Sequence, residues 1–199
     1  DGLRLHYRDY PGRADRAPVI CLPGLTRNAR DFVALAERIS GDWRVLCVEL
    51  RGRGESARAD DPRSYNPRQY LDDLAALLVD QKIGQFVAIG TSLGGLLTME
   101  LAMAEAGAGA GSGRIAGALI NDIGKVLERA GLDTIRDYVG RDERFERWDE
   151  AARAVAQSHR AAFPDYAPAD WLAMAKRLMT EAPGDGGIRF DYDLAIASP

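Results

Sequence analysis

The chain has 199 residues, 46% of them apolar, with 26 basic against 30 acidic side chains and a formal charge of −4. That length suits one domain, able to bury roughly 70% of its unfolded-chain surface. The interleaved charges exclude a basic stripe for nucleic acid and a polybasic arm for a membrane, and no run of about 18 apolar residues exists to form a spanning helix. Two cysteines are too few for a disulfide framework, and Asp1 to Leu5 carry no apolar signal core, so a soluble globular protein of the cytoplasm is expected.

Asp1-Gly2 is a hairpin-turn signal followed by the apolar/polar alternation Leu3 to Arg8, so the chain reads as though it starts inside a hairpin. Val19 to Leu22 is a wholly apolar run closed by Pro23-Gly24, as a buried parallel strand would be. Helical spacing follows over residues 31–39, then a second buried strand over 44–48 that ends in the turn-rich segment Arg51 to Ser56. Asn66-Pro67 is a helix start, a capping residue before a proline at the first helical position. Phe86 to Ile89 predicts another strand, residues 93–106 another helix, residues 107–113 a flexible glycine-rich connection, and residues 117–122 a further strand. The alternation predicts an α/β fold, a mostly parallel sheet covered by helices on both faces. After Asp122 the pattern changes to helical stretches at 126–139, 148–163 and 169–181. The division expected is therefore a core over residues 1–123 and an all-helical subdomain over 124–199.

Gly90-Thr91-Ser92-Leu93-Gly94 follows an apolar strand directly and opens a helix, which is the G-x-S-x-G elbow in its proper context. The serine must sit on a strained turn, and glycines on either side remove collisions with the strand and helix being joined. The turn leaves the Leu93 N–H at a helix N-terminus, where it can stabilise an oxyanion. The loop after the earlier strand, Leu22 to Thr26, is placed to supply the second donor, the Leu25 N–H.

The Pro23-Gly24 loop, the Glu49 to Ser56 segment and the Gly90 to Gly95 elbow together resemble the α/β-hydrolase superfamily, over nearly the whole chain. Residues 124–199 match the helical cap of that family, and the similarity runs toward cap-bearing esterases and carbon–carbon bond hydrolases. Many members have His-Gly where this chain has Pro23-Gly24. The resemblance implies a Ser92 nucleophile. It also implies a histidine and a carboxylate on elements after the cap, so a missing C-terminal portion of the same protein is an expected partner of these residues. A serine at the elbow argues against the related enzymes that use an aspartate there.

Two histidines are available. His6 shares a strand face with Arg4 and Arg8 and is expected to be solvated. His159 lies on the apolar helical stripe of Trp148, Ala152, Val155 and Phe163. With Asp122 at a strand end, Ser92, Asp122 and His159 follow the chain order that the chemistry uses, although a cap helix holds a base less precisely. Cys21 and Cys47 are expected as buried thiols. Asp60-Asp61 and Asp72-Asp73 are expected on solvated faces. No zinc, EF-hand, P-loop or dinucleotide pattern occurs, so neither metal nor cofactor is expected. A serine hydrolase acting on a small or medium, fairly apolar ester or related carbonyl follows, with a non-catalytic small-molecule binding protein as the alternative.

Overall fold

Runs of Val, Ile, Cys and Leu without a polar residue satisfy both faces only in the middle of a covered sheet. Strands β2 (Val19–Leu22) and β3 (Val45–Val48) are accordingly buried along their full length. The computed structural model describes residues 2–106, 113–124, 139–182, 184 and 187–197. With β1 (Tyr7–Tyr10), β4 (Phe86–Thr91) and β5 (Ile115–Asn121), these strands form a five-stranded sheet in the order β1-β3-β2-β4-β5. Only β1 runs antiparallel, paired to β3.

The period-two alternation of β2 divides the core. Ile20 and Leu22 join Leu46, Val48, Phe86 and Ala88 under helices α2 (Pro67–Asp80) and α3 (Leu93–Ala106). Val19 and Cys21 face the other way, with Val45, Cys47, Phe32 and Ala36 beneath α1 (Val33–Ile39). Cys21 and Cys47 are register partners across β2 and β3, both fully buried. The hydrogen bond from its neighbour and burial push the Cys21 thiol up, so it stays protonated. Helix α2 begins as its sequence specifies, the Asn66 side chain accepting from the Gln69 N–H at 3.0 Å.

Beyond β5 the structure differs from the all-helical expectation. Helices α4 (Trp148–His159) and α5 (Pro168–Leu178) pack on each other, but a three-stranded antiparallel sheet stands beside them. Its order is β6-β8-β7, from β6 (Arg144–Phe145), β7 (Met179–Glu181) and β8 (Ile188–Phe190). Strands of two and three residues are too short to show an alternation, and β7 continues straight from the α5 pattern, so the helical spacing runs on to residue 181 although the helix ends at Leu178. Trp171 and Met174 are core residues of this region. The helix expected over 126–139 and the connection expected over 107–113 lie almost wholly outside the described residues.

Hydrogen bonds and an ion pair join this region to the sheet and its loops. Asp193 donates its N–H to the Gly52 carbonyl at 2.7 Å, and the Gly54 N–H reaches the Asp191 carbonyl at 3.0 Å. Arg30, just after the β2 loop, pairs with Asp191 at 2.6 Å and donates to the carbonyls of Arg177 and Met179. Among the described residues no helix is long and apolar enough to cross a membrane.

Candidate active site

Ser92 stands between β4 and α3 with φ of +50°, a left-handed conformation that a residue with a Cβ adopts only under constraint. The constraint is visible in its surroundings. The Ser92 N–H donates to the Asn121 carbonyl of β5 at 3.0 Å, and its own carbonyl accepts the Leu96 N–H at 3.1 Å to start α3. A Cβ at Gly90 would collide with the Gly94 carbonyl, and one at Gly94 with the Leu22 carbonyl of β2. One at Gly95 would stand 2.5 Å from the Ile123 side chain. Gly90 and Gly94 are therefore required by backbone approach, as the motif implies, and Gly95 by apolar side chains packed against it.

The β2 loop meets this turn. A Cβ built on Gly24 would lie 3.7 Å from the Ser92 Cβ, and the Gly94 N–H donates to the Pro23 carbonyl at 3.1 Å. Among the described residues the N–H groups of Leu25 and Leu93 meet no acceptor. The structure thus brings Ser92, Leu25 and Leu93 to one place, at the C-terminal ends of two adjacent parallel strands.

Asp122 adjoins the elbow in space, following the residue whose carbonyl binds the Ser92 N–H, and is itself left-handed with φ of +56°. It is exposed. His159 sits half-buried at the end of α4 with Nδ1 against its own helix's Val155 carbonyl at 3.1 Å. Among the described residues no contact joins it to Ser92 or Asp122, so the three residues in the expected chain order are not assembled.

Three charged residues after β3 escaped sequence reasoning. Glu49 is buried: Oε1 accepts the Ala29 N–H at 3.2 Å, and Oε2 accepts the Glu55 N–H at 2.7 Å. His6 Nδ1 lies 2.9 Å from the same carboxylate, and its N–H binds Ser56 Oγ. The expectation of a solvated His6 is therefore corrected, because a buried carboxylate 43 positions away claims the ring. Arg51 is wholly buried and paired through Nε and Nη2 with Asp73 at 2.7 and 2.6 Å, which likewise removes Asp73 from a solvated face. Arg53 is also 0% exposed and donates from Nε to the Leu25 carbonyl at 2.8 Å. A cluster of charges at the C-terminal end of a buried strand was the available signal, since loops there carry sites in open α/β sheets. Among the described residues no three His, Cys, Asp or Glu side chains gather in a way that could hold a metal ion.

The profile of the alpha/beta hydrolase family matches residues 19–196. A 3-hydroxybutyrate-oligomer hydrolase of Cupriavidus necator is 30% identical over 198 residues, covering 98% of this chain and 65% of the relative. A 2-(acetamidomethylene)succinate hydrolase of Mesorhizobium japonicum is 27% identical over 170 residues, 83% of this chain and 55% of that protein. The crystal structure of an alpha/beta hydrolase from Novosphingobium aromaticivorans superposes with a TM-score of 0.94 at 55% identity, over 100% of this chain and 67% of that one. The chain spans about two thirds or less of the length of these relatives.

Proposed function

The chain belongs to the alpha/beta hydrolase family, and on that footing we propose that it is a serine hydrolase in which Ser92 attacks a carbonyl carbon while the Leu25 and Leu93 N–H groups hold the resulting oxyanion. The observation that carries this reading is the left-handed Ser92 at a strand–helix turn, with two unengaged N–H groups of facing elements beside it. The charge that develops on the carbonyl oxygen meets fixed donors and the N-terminus of α3, so no reorganisation is needed as it forms.

A serine hydroxyl needs a histidine to take its proton and a carboxylate to orient that histidine. His159 is engaged by its own helix, and Asp122 is exposed with no imidazole beside it among the described residues. We therefore assign base and acid to the part of the relatives' length that these 199 residues do not span, with Asp122 bordering the site. The substrate proposed is a small or medium, fairly apolar ester, and the name of the Cupriavidus relative makes an oligomer of 3-hydroxybutyrate a candidate.

A fluorophosphonate probe tests the assignment on the complete protein. Labelling is expected, together with hydrolysis of short acyl esters, and both should vanish in Ser92→Ala. Labelling that persists in Ser92→Ala would move the nucleophile elsewhere. No labelling of the complete protein at all would favour a non-catalytic binding protein on this scaffold.

A further inference from the structure

Three consecutive carbonyls of the β2 loop are each held by a different donor. The Pro23 carbonyl takes the Gly94 N–H at 3.1 Å, the Gly24 carbonyl the Arg27 N–H at 3.1 Å, and the Leu25 carbonyl the Arg53 Nε at 2.8 Å. In a trans peptide the carbonyl and the following N–H point in opposite directions. Turning the Gly24 carbonyl to Arg27 therefore turns the Leu25 N–H the other way. Holding the next carbonyl as well fixes the peptide planes on both sides of the Leu25 Cα, leaving this residue no soft dihedral. Two of the three clamps are backbone and local to the turn or the elbow. The third is a side chain from another strand's loop.

That side chain is an unusual choice. Arg53 is 0% exposed and has no carboxylate partner among the described residues. Its guanidinium lies 4.8 Å from the centre of the Tyr70 ring and 5.8 Å from that of Tyr65. Nη1 donates to the Arg51 carbonyl at 2.7 Å and to the Tyr70 hydroxyl at 3.0 Å, while Nη2 has no partner among the described residues. Burial pulls its pKa below the ordinary arginine value. Asp193, the acid whose charge it feels, is itself occupied by the Tyr65 hydroxyl and the Ala195 N–H. A cation stripped of water without a counter-ion costs stability, and one neutral polar residue could have satisfied a single carbonyl.

We propose that Arg53 is a positioning residue for the hydrolysis: wedged between Tyr65 and Tyr70, its guanidinium clamps the Leu25 carbonyl and thereby aims the Leu25 N–H at the oxyanion, while its charge favours negative charge developing there. The inference rests on the reading of Ser92 and Leu25 given above. Arg53 touches no substrate, because it is wholly enclosed. Its contribution is to the donor's direction, and a donor aimed for the tetrahedral oxygen acts in the transition state rather than on the bound ester.

The test uses the complete protein with Arg53→Met and Arg53→Lys, reading kcat and KM for a short acyl ester and the affinity of a matching trifluoromethyl ketone, which forms a tetrahedral adduct with a serine. In Arg53→Met, kcat should fall on the order of 10- to 100-fold with KM changed by less than about twofold, and the ketone should weaken in step with kcat. Arg53→Lys keeps the charge without the planar fork and should recover only part of the loss. If Arg53→Met does not fold, Tyr70→Phe removes one of the two acceptors that hold Nη1 and should show the same kcat-specific loss, on the order of threefold. Unchanged kcat and ketone affinity in a folded variant, or a loss confined to KM, would overturn the inference alone. A wild-type protein that forms no ketone adduct would remove the Ser92 reading, and this inference with it.

Discussion

The loops after β2, β3 and β4 and the region over residues 139–197 are built on opposite principles. In the loops, backbone meets backbone and charge is interior: Gly94 lies against the Leu22 carbonyl, and Glu49, Arg51 and Arg53 are at most 1% exposed. In the later region the interior is alanine and large apolar side chains, Ala151, Val155, Trp171 and Met174 among them. Its charges are largely paired on the surface, as in Arg147 with Asp149, or turned toward the core, as Asp191 is toward Arg30. The first construction fixes the directions of N–H groups and, where backbone meets backbone, leaves no room for a Cβ. The second fixes a shape, and shape survives exchange of one apolar side chain for another of equal volume.

The contrast would break most visibly at Asp73. Removing it by Asp73→Ala leaves Arg51 buried without its bidentate partner, and a loss of about 3–5 kcal/mol is expected in chemical denaturation. A loss below about 1 kcal/mol would mean the loop is as forgiving as the later region. Met174→Leu tests the other side: this buried, volume-conserving exchange should cost less than about 1.5 kcal/mol and leave probe labelling of Ser92 unaltered.

The smallest effect belongs to the junction, where the Tyr65 hydroxyl donates to Asp193 at 2.7 Å. Burial and that hydrogen bond raise the phenol from its ordinary value near 10 to about 12. Because the folded state favours the neutral form, its contribution is complete below pH about 10 and is lost as pH rises toward about 12. Tyr65→Phe should therefore flatten the decline of the urea midpoint across that interval, and an unaltered decline would place the titration elsewhere, for instance at Tyr70, which burial also raises.

Elements whose constraints are local were legible in the amino-acid order. The apolar runs of β2 and β3 could only be interior strands, Asn66 caps α2 as written, and the glycines around Ser92 announce a turn that would otherwise collide with itself. The short strands β6, β7 and β8 were not legible, because two or three residues carry no period. Nor were the buried charges, because what makes them tolerable is remote: Glu49 meets His6 across 43 positions, Arg51 meets Asp73 across 22, and Arg53 reaches Leu25 across 28.

What the sequence by itself determined was the alternation of strands and helices as far as β5 and the place of the strained serine, since sterics within a few residues and the period of apolar side chains decide both. Tertiary structure alone decided which direction the Leu25 N–H faces, that His6 and Asp73 are occupied, and that His159 stays with its own helix. Those outcomes depend on which polar groups lose water together, and desolvation is a property of the assembled fold rather than of any segment in it.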